Sequence, residues 1–226
     1  MNEPSLLFVS KNRKDVFAEE AISYIARHFP IHHVVLGSLG EDIPEVLLNC
    51  NMDYIVSYLC PWILPASVLN KAKIAAINFH PGPPAYPGVG CYNFAIYDRA
   101  PIYGVTCHHM APEVDTGKII DVRRFPVFAS DTVLSIARQS SAQMLVLFYE
   151  VISFILNGGP LPDSKEIWQR KPYTTSKMYK LFEIKPEMSE VEVQRRIKSA
   201  DFPGWPGAFI EVCGRRFYQN PPPPQR

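Results

Sequence analysis

Ile74-Ala75-Ala76-Ile77-Asn78-Phe79-His80-Pro81-Gly82 is a short apolar run that ends in two polar side chains and a proline-glycine turn. Side chains alternate faces in an extended segment, so Asn78 and His80 share one face while Ile77 and Phe79 take the other. A strand built this way ends on a hydrogen-bonding amide beside a titratable imidazole. Upstream, Leu6 to Val9 reads as a buried strand, and Asp15 to Phe29 places Val16, Ala18, Ile22, Ile25, Ala26 and Phe29 at helical spacing. His33 to Leu36 and Asp53 to Tyr58 read as further strands, with short helical segments at Ile43 to Leu48 and Pro65 to Lys71. Strands alternating with helices predict an α/β fold with a Rossmann-like, mostly parallel sheet and helices on both faces.

Downstream, Gly104 to His108 and Ile119 to Val127 read as strands on either side of a loop carrying Val114-Asp115-Thr116-Gly117. A long helix is expected from a cap near Ser130-Asp131-Thr132 to Asn157. Beyond it the character changes. Glu190 to Ser199 reads as a charged helix, and Ala208 to Val212 with Arg215 to Tyr218 flank Gly214 as a hairpin. The expected organisation is a principal domain over residues 1–165, a small C-terminal α+β extension over 166–220, and a disordered proline-rich tail over 221–226.

The chain has 226 residues, enough for one α/β domain with a small appended element. Its net charge of +1, with Lys and Arg dispersed, lacks the basic footprint that phosphate-backbone binding demands, so nucleic acid is not an expected partner. The start at Met1 lacks the basic and apolar parts of a signal peptide. The longest apolar run, Met144 to Leu156, contains Glu150 and is expected to be a buried helix too short to span a membrane. Five cysteines without a C-x-x-C pair argue against a disulfide framework and for the cytoplasm. No metal is expected, because His32-His33 and Cys107-His108-His109 lack a second ligand pair at metal spacing.

Asn78, His80 and Asp115 form the candidate catalytic set. Acyl transfer to an amine needs a stabilised oxyanion, a proton carrier for the attacking nitrogen, and a group that orients that carrier. Taken singly, His80 also suits a structural hydrogen bond, Asn78 a turn, and Asp115 an Asx-turn before Thr-Gly. The surrounding residues favour the catalytic alternative: Ile-Asn-Phe-His-Pro-Gly-Pro-Pro at 77–84, Tyr86-Pro87-Gly88, Ala95-Ile96, Gly104-Val105-Thr106-Cys107-His108 and Val114-Asp115-Thr116-Gly117-Lys118-Ile119-Ile120. In order and spacing, from about residue 50 to 125, they resemble the formyltransferase family that uses 10-formyltetrahydrofolate. That family includes methionyl-tRNA formyltransferase, glycinamide ribonucleotide transformylase and the sugar N-formyltransferases.

The resemblance implies that Asn78, His80 and Asp115 are the catalytic trio, and that 10-formyltetrahydrofolate is the co-substrate. It further implies a pterin pocket between Tyr58-Leu59-Cys60-Pro61-Trp62-Ile63-Leu64-Pro65 and the Asp115 loop. Tyr58, Trp62, Ile63, Leu64 and Val114 are the expected lining. Departures from the family narrow the acceptor. After Val9 the chain reads Ser10-Lys11-Asn12-Arg13-Lys14-Asp15, without the Gly-Ser-rich turn that cradles a ribonucleotide phosphate. The C-terminal part, some sixty residues, is also smaller than an RNA-binding domain of the family and offers no positive surface for RNA. By elimination the expected acceptor is the primary amine of a small molecule, a nucleotide-linked amino sugar. A formyltetrahydrofolate hydrolase, a methionyl-tRNA or ribonucleotide formyltransferase, and a non-catalytic folate-binding module are the alternatives. A homodimer through the C-terminal hairpin, with Phe209 and Phe217 on strand positions, is also expected.

Overall fold

The computed structural model describes residues 3–12 and 14–220, so the expected tail over 221–226 lies outside the described residues. Six strands form one sheet: β1 (Leu6–Lys11), β2 (His32–Gly37), β3 (Tyr54–Tyr58), β4 (Ala75–His80), β5 (Ile102–His109) and β6 (Ile119–Pro126), in the order β2-β1-β3-β4-β5-β6. The first four run parallel, and β5 and β6 turn antiparallel. This is the mostly parallel α/β arrangement expected from the alternation of elements.

Helix α1 (Val16–His28) starts where the Asp15 side chain accepts from the amides of Phe17 and Ala18, satisfying two of the otherwise unpaired donors of its first turn. The short helices α2 (Glu45–Asn49) and α3 (Ala66–Leu69) cover one face of the sheet, packing Leu47 and Val68 with Leu7, Val9 and Ile55. The opposite face carries α1 and α5 (Val133–Leu156), whose Met144, Leu147, Phe148, Val151, Ile152 and Ile155 meet Leu6, Phe8, Val56, Ile77 and Phe79. Thr132 and Ser135 form a reciprocal capping box at the start of α5. Contrary to expectation, the apolar helix is not too short for a membrane, because the periodic segment begins eleven residues before Met144. At 24 residues it has the length and composition of a span, but its apolar stripe is packed against the sheet as a core helix.

Two helices are absent from the sequence reading. Helix α4 (Cys91–Asp98) is eight residues long, begins after Gly90 at φ +76°, and buries four residues without a clean amphipathic stripe. Helix α6 (Thr175–Phe182) follows Pro172 and is capped by Thr174. With α7 (Glu190–Ala200) and the hairpin of β7 (Phe209–Val212) and β8 (Arg215–Tyr218), they close a third core. There Leu181, Phe182, Ala200, Ala208 and Phe209 share one cluster with Phe94, Tyr103 and Phe125.

Candidate active site

The carboxyl ends of β1, β3 and β4 surround a cavity of about 370 Å³. They flank the point where the strand order reverses, since β1 leads to β2 on one side while β3 and β4 lie on the other. Open α/β sheets place ligands at such a crevice.

Register explains which side chains meet there. Asn78 pairs with Ser57 across β3 and with His108 across β5, so all three project to one face. Ser57 Oγ donates to Asn78 Oδ1 at 2.6 Å, and Asn78 Nδ2 lies 3.0 Å from His108 Nε2. The Nδ1 of His108 faces the carbonyl of its neighbour His109 at 2.8 Å, which fixes Nδ1 as a protonated nitrogen. Its Nε2 is thereby turned towards the Asn78 amide, whose Nδ2 carries two hydrogens.

His80 is buried, and both of its ring nitrogens face oxygens. Nδ1 lies 3.1 Å from Asp115 Oδ2, and Nε2 lies 3.0 Å from the carbonyl of Tyr86. A carbonyl and an ionised carboxylate are acceptors only, so the ring satisfies both contacts when it carries both protons. Asp115 Oδ2 also accepts from the Gly88 amide at 2.7 Å, and Oδ1 lies 3.3 Å from His108 Nε2. Burial pushes the Asp115 carboxyl up, but the charge of His80, the His108 contacts and the Gly88 amide outweigh it and hold the carboxyl at about 2. Asp115 sits at φ +49°, in the left-handed region that aspartate tolerates better than most residues. Thus the turn from Pro81 to Gly90 supplies an acceptor to His80 and a donor to Asp115, and is itself pinned by a 2.8 Å bond from Thr106 Oγ1 to the Gly82 carbonyl.

Trp62, Ile63, Leu64 and Val114 line the cavity together with Asn78, His80 and Asp115. Ile63 is 70% exposed and Val114 41% exposed, leaving two apolar side chains at its mouth. The Trp62 indole donates to the Glu41 carbonyl at 2.7 Å and lies across Gly37, where a Cβ would come within 2.0 Å of its ring. Tyr58 does not belong with them. It is fully buried on the opposite face of β3, stacked on Phe8 and edge-on to Phe148. Its neighbour Ser57 takes the cavity side, because alternation along β3 turns consecutive side chains to opposite faces. Burial pushes the Cys60 thiol, also in the lining, up to about 11, so it is not a ready nucleophile.

Ser57, His108 and Lys11 are site residues that the sequence reading did not select. The signal for His108 was its placement two residues after Thr106 on one face of a strand; the signal for Ser57 was alternation within Tyr54 to Tyr58.

A family model described as formyl transferase matches residues 35–152, just over half of the chain. The GDP-perosamine N-formyltransferase of Brucella melitensis biotype 1 is 28% identical over 193 residues, covering 83% of this chain and 72% of that protein. The methionyl-tRNA formyltransferase of Lactobacillus delbrueckii subsp. bulgaricus is 25% identical over 213 residues, covering 92% of this chain and 65% of its own length. In three dimensions the N-formyltransferase from Helicobacter canadensis, solved in complex with folinic acid and dTDP-3-aminofucose, superposes with a TM-score of 0.72 at 18% identity, over 94% of this chain and 86% of that one. The family match spans the strand of Asn78 and His80, the turn of Gly88 and the loop of Asp115, and the chain belongs to the formyl transferase family.

Proposed function

We propose that this chain transfers the formyl group of 10-formyltetrahydrofolate to the primary amine of a nucleotide-linked amino sugar, with Asn78, His80 and Asp115 as its catalytic residues. The observation that carries the proposal is the convergence of an amide donor, a doubly engaged imidazole and an ionised carboxylate on one wall of the cavity. The similarity to a GDP-perosamine N-formyltransferase supports the acceptor, and the folinic acid and amino sugar of the Helicobacter complex support both substrates. The exposed apolar edge formed by Ile63 and Val114 suits a flat pterin ring.

In this reading the amine attacks the formyl carbon, and the carbonyl oxygen gains negative charge. Asn78 Nδ2 donates to that oxygen while Ser57 and His108 hold the amide. The His80 cation adds electrostatic stabilisation and passes its proton to the departing folate nitrogen. Asp115 is a weak base while His80 is charged beside it. Loss of that charge removes the main interaction that depresses its pKa, so the carboxylate takes up the proton released by the amine. The C–N bond to folate breaks as the new amide forms, and no protein nucleophile intervenes.

The test is mass spectrometry of products after incubation with 10-formyltetrahydrofolate and a panel of nucleotide-linked amino sugars. A formyl mass gain on one sugar supports the proposal. Formate appearing equally without acceptor assigns a hydrolase instead, and an intact cofactor in every tube assigns a binding protein.

We also infer that two copies pair through the hairpin. Its outer face bears Ile210, Val212 and Phe217, with Trp205 nearby, all of them exposed. Sedimentation at micromolar concentration is expected to give a dimer that Phe217→Glu converts to monomer; monomer alone for the unaltered protein removes this inference. The five free thiols suit a reducing compartment.

A further inference from the structure

Trp168 lies on the chain beyond α5, in a segment the matched family model does not include, and does not line the cavity. Even so, its indole packs edge-on to both imidazoles of the site, with ring centroids 5.9 Å from His80 at 72° and 5.1 Å from His108 at 86°. Its Nε1 donates to the carbonyl of Gly117 at 2.8 Å, two residues beyond Asp115. His80 and His108 are 5% and 2% exposed, whereas Trp168 itself is half-buried. The indole therefore covers part of both imidazoles without lining the cavity.

The neighbours of Trp168 are tied down as well. The Gln169 amide donates to Pro84, the Tyr173 amide to Pro87, and the Val89 amide back to Tyr173, so the strap over residues 168–173 runs in fixed register along the turn from Pro81 to Gly90. Arg170 lies over the ring of Tyr86, whose carbonyl holds His80 Nε2. One strap thus touches the loop of Asp115, both imidazoles, and the turn that supplies Tyr86 and Gly88 to the site.

We propose that Trp168 is a positioning residue that braces the His80–Asp115–His108 group and keeps water from it. Its contact with the Gly117 carbonyl fixes the loop that presents Asp115. Its ring fixes the two imidazole planes at once, so the hydrogen bonds of His80 and His108 keep their length and their low-dielectric surroundings. The proposal rests on the reading of His80 and Asp115 as working groups, and its test has a readout that does not depend on turnover.

Two variants separate the contacts. Trp168→Phe retains an aromatic ring and removes the indole N–H; Trp168→Ala removes both. In formyl transfer, Trp168→Phe is expected to lower kcat about tenfold and Trp168→Ala about a hundredfold, with KM for either substrate changed by less than about threefold and the acid limb of the pH profile displaced. The ring-nitrogen chemical shifts of His80 and His108, assigned with His80→Gln and His108→Gln, are read on the same proteins without substrate. They are expected to move in both variants, and further in Trp168→Ala. Where Trp168→Ala does not fold, Trp168→Phe decides. Unchanged kcat, pH profile and ring shifts in the folded variant overturn the proposal. If no acceptor is formylated by any form of the protein, the functional reading fails separately, and the ring shifts still decide whether Trp168 positions the imidazoles.

Discussion

Asp115→Asn is expected to lower kcat by about a thousandfold or more while leaving the circular dichroism spectrum unchanged at pH 7. The substitution keeps the size of the side chain and a carbonyl oxygen for the Gly88 amide, but removes the charge that faces His80 and His108. Without that charge His80 loses its ionic partner, and in the proposed mechanism the amine has no proton acceptor beside it. His80→Ala is expected to cost a similar factor by removing the imidazole that contacts Asp115 and the Tyr86 carbonyl. A variant at either position with near-normal kcat would reduce the group to a turn or packing residue. Asp115→Asn also alters stability in a pH-dependent way. The carboxyl is held at about 2 in the folded chain against an ordinary value of 3.8, so its contribution is fully present above about pH 4 and is lost as pH falls towards 2. The wild type is therefore expected to exceed Asp115→Asn by about 2 kcal/mol at neutral pH, with the difference closing between about pH 4 and 2 in denaturant titrations. A gap that stays constant down to pH 2 would contradict the electrostatic account.

Gly117→Ala is expected to destabilise the protein by about 3 kcal/mol and to lower Tm by roughly 6–12 °C. A Cβ on Gly117 would lie 1.7 Å from the His109 carbonyl oxygen and 2.7 Å from its carbon. That obstacle is backbone and has no rotamer to escape into. His109 is held in place by a 2.8 Å bond from its amide to the Lys118 carbonyl, and its own carbonyl faces His108 Nδ1 at 2.8 Å. The loop must move instead, taking the Gly117 carbonyl away from Trp168 and Asp115 away from His80. Gly158→Ala is the comparison. A Cβ there meets nothing within 4 Å, and only the left-handed φ of +66° opposes it, at a cost of about 1 kcal/mol. Differential scanning calorimetry that ranks the two equally would remove the steric argument.

Elements whose apolar periodicity is strong were legible in the sequence. The strand of Leu6 to Val9, the capped helix after Asp15 and the long helix after Thr132 all lie where their patterns indicate. Helices α4 and α6 were not, because each is eight residues long and its burial comes from packing in the third core. The same division runs through the cavity. Asn78 and His80 were readable from alternation within one strand, whereas their relation to Ser57 and His108 depends on cross-strand register, which no single segment encodes. Tyr58 was misplaced for lack of that register: with Ser57 opposite Asn78, Tyr58 must turn into the aromatic core. Trp168 was not legible as part of the site, since nothing in its local sequence points to two histidines far upstream.

The strap of residues 168–173 has a consequence for the order of assembly. Asn78, His80 and Asp115 leave the ribosome well before Trp168, and the bond that links it to Gly117 closes a separation of 51 residues. Such long closures are made late in folding, after the local contacts that reduce their entropy. A nascent chain that has synthesised all three residues therefore still lacks the brace around them, and maturation of the site awaits the docking of the last quarter of the polypeptide.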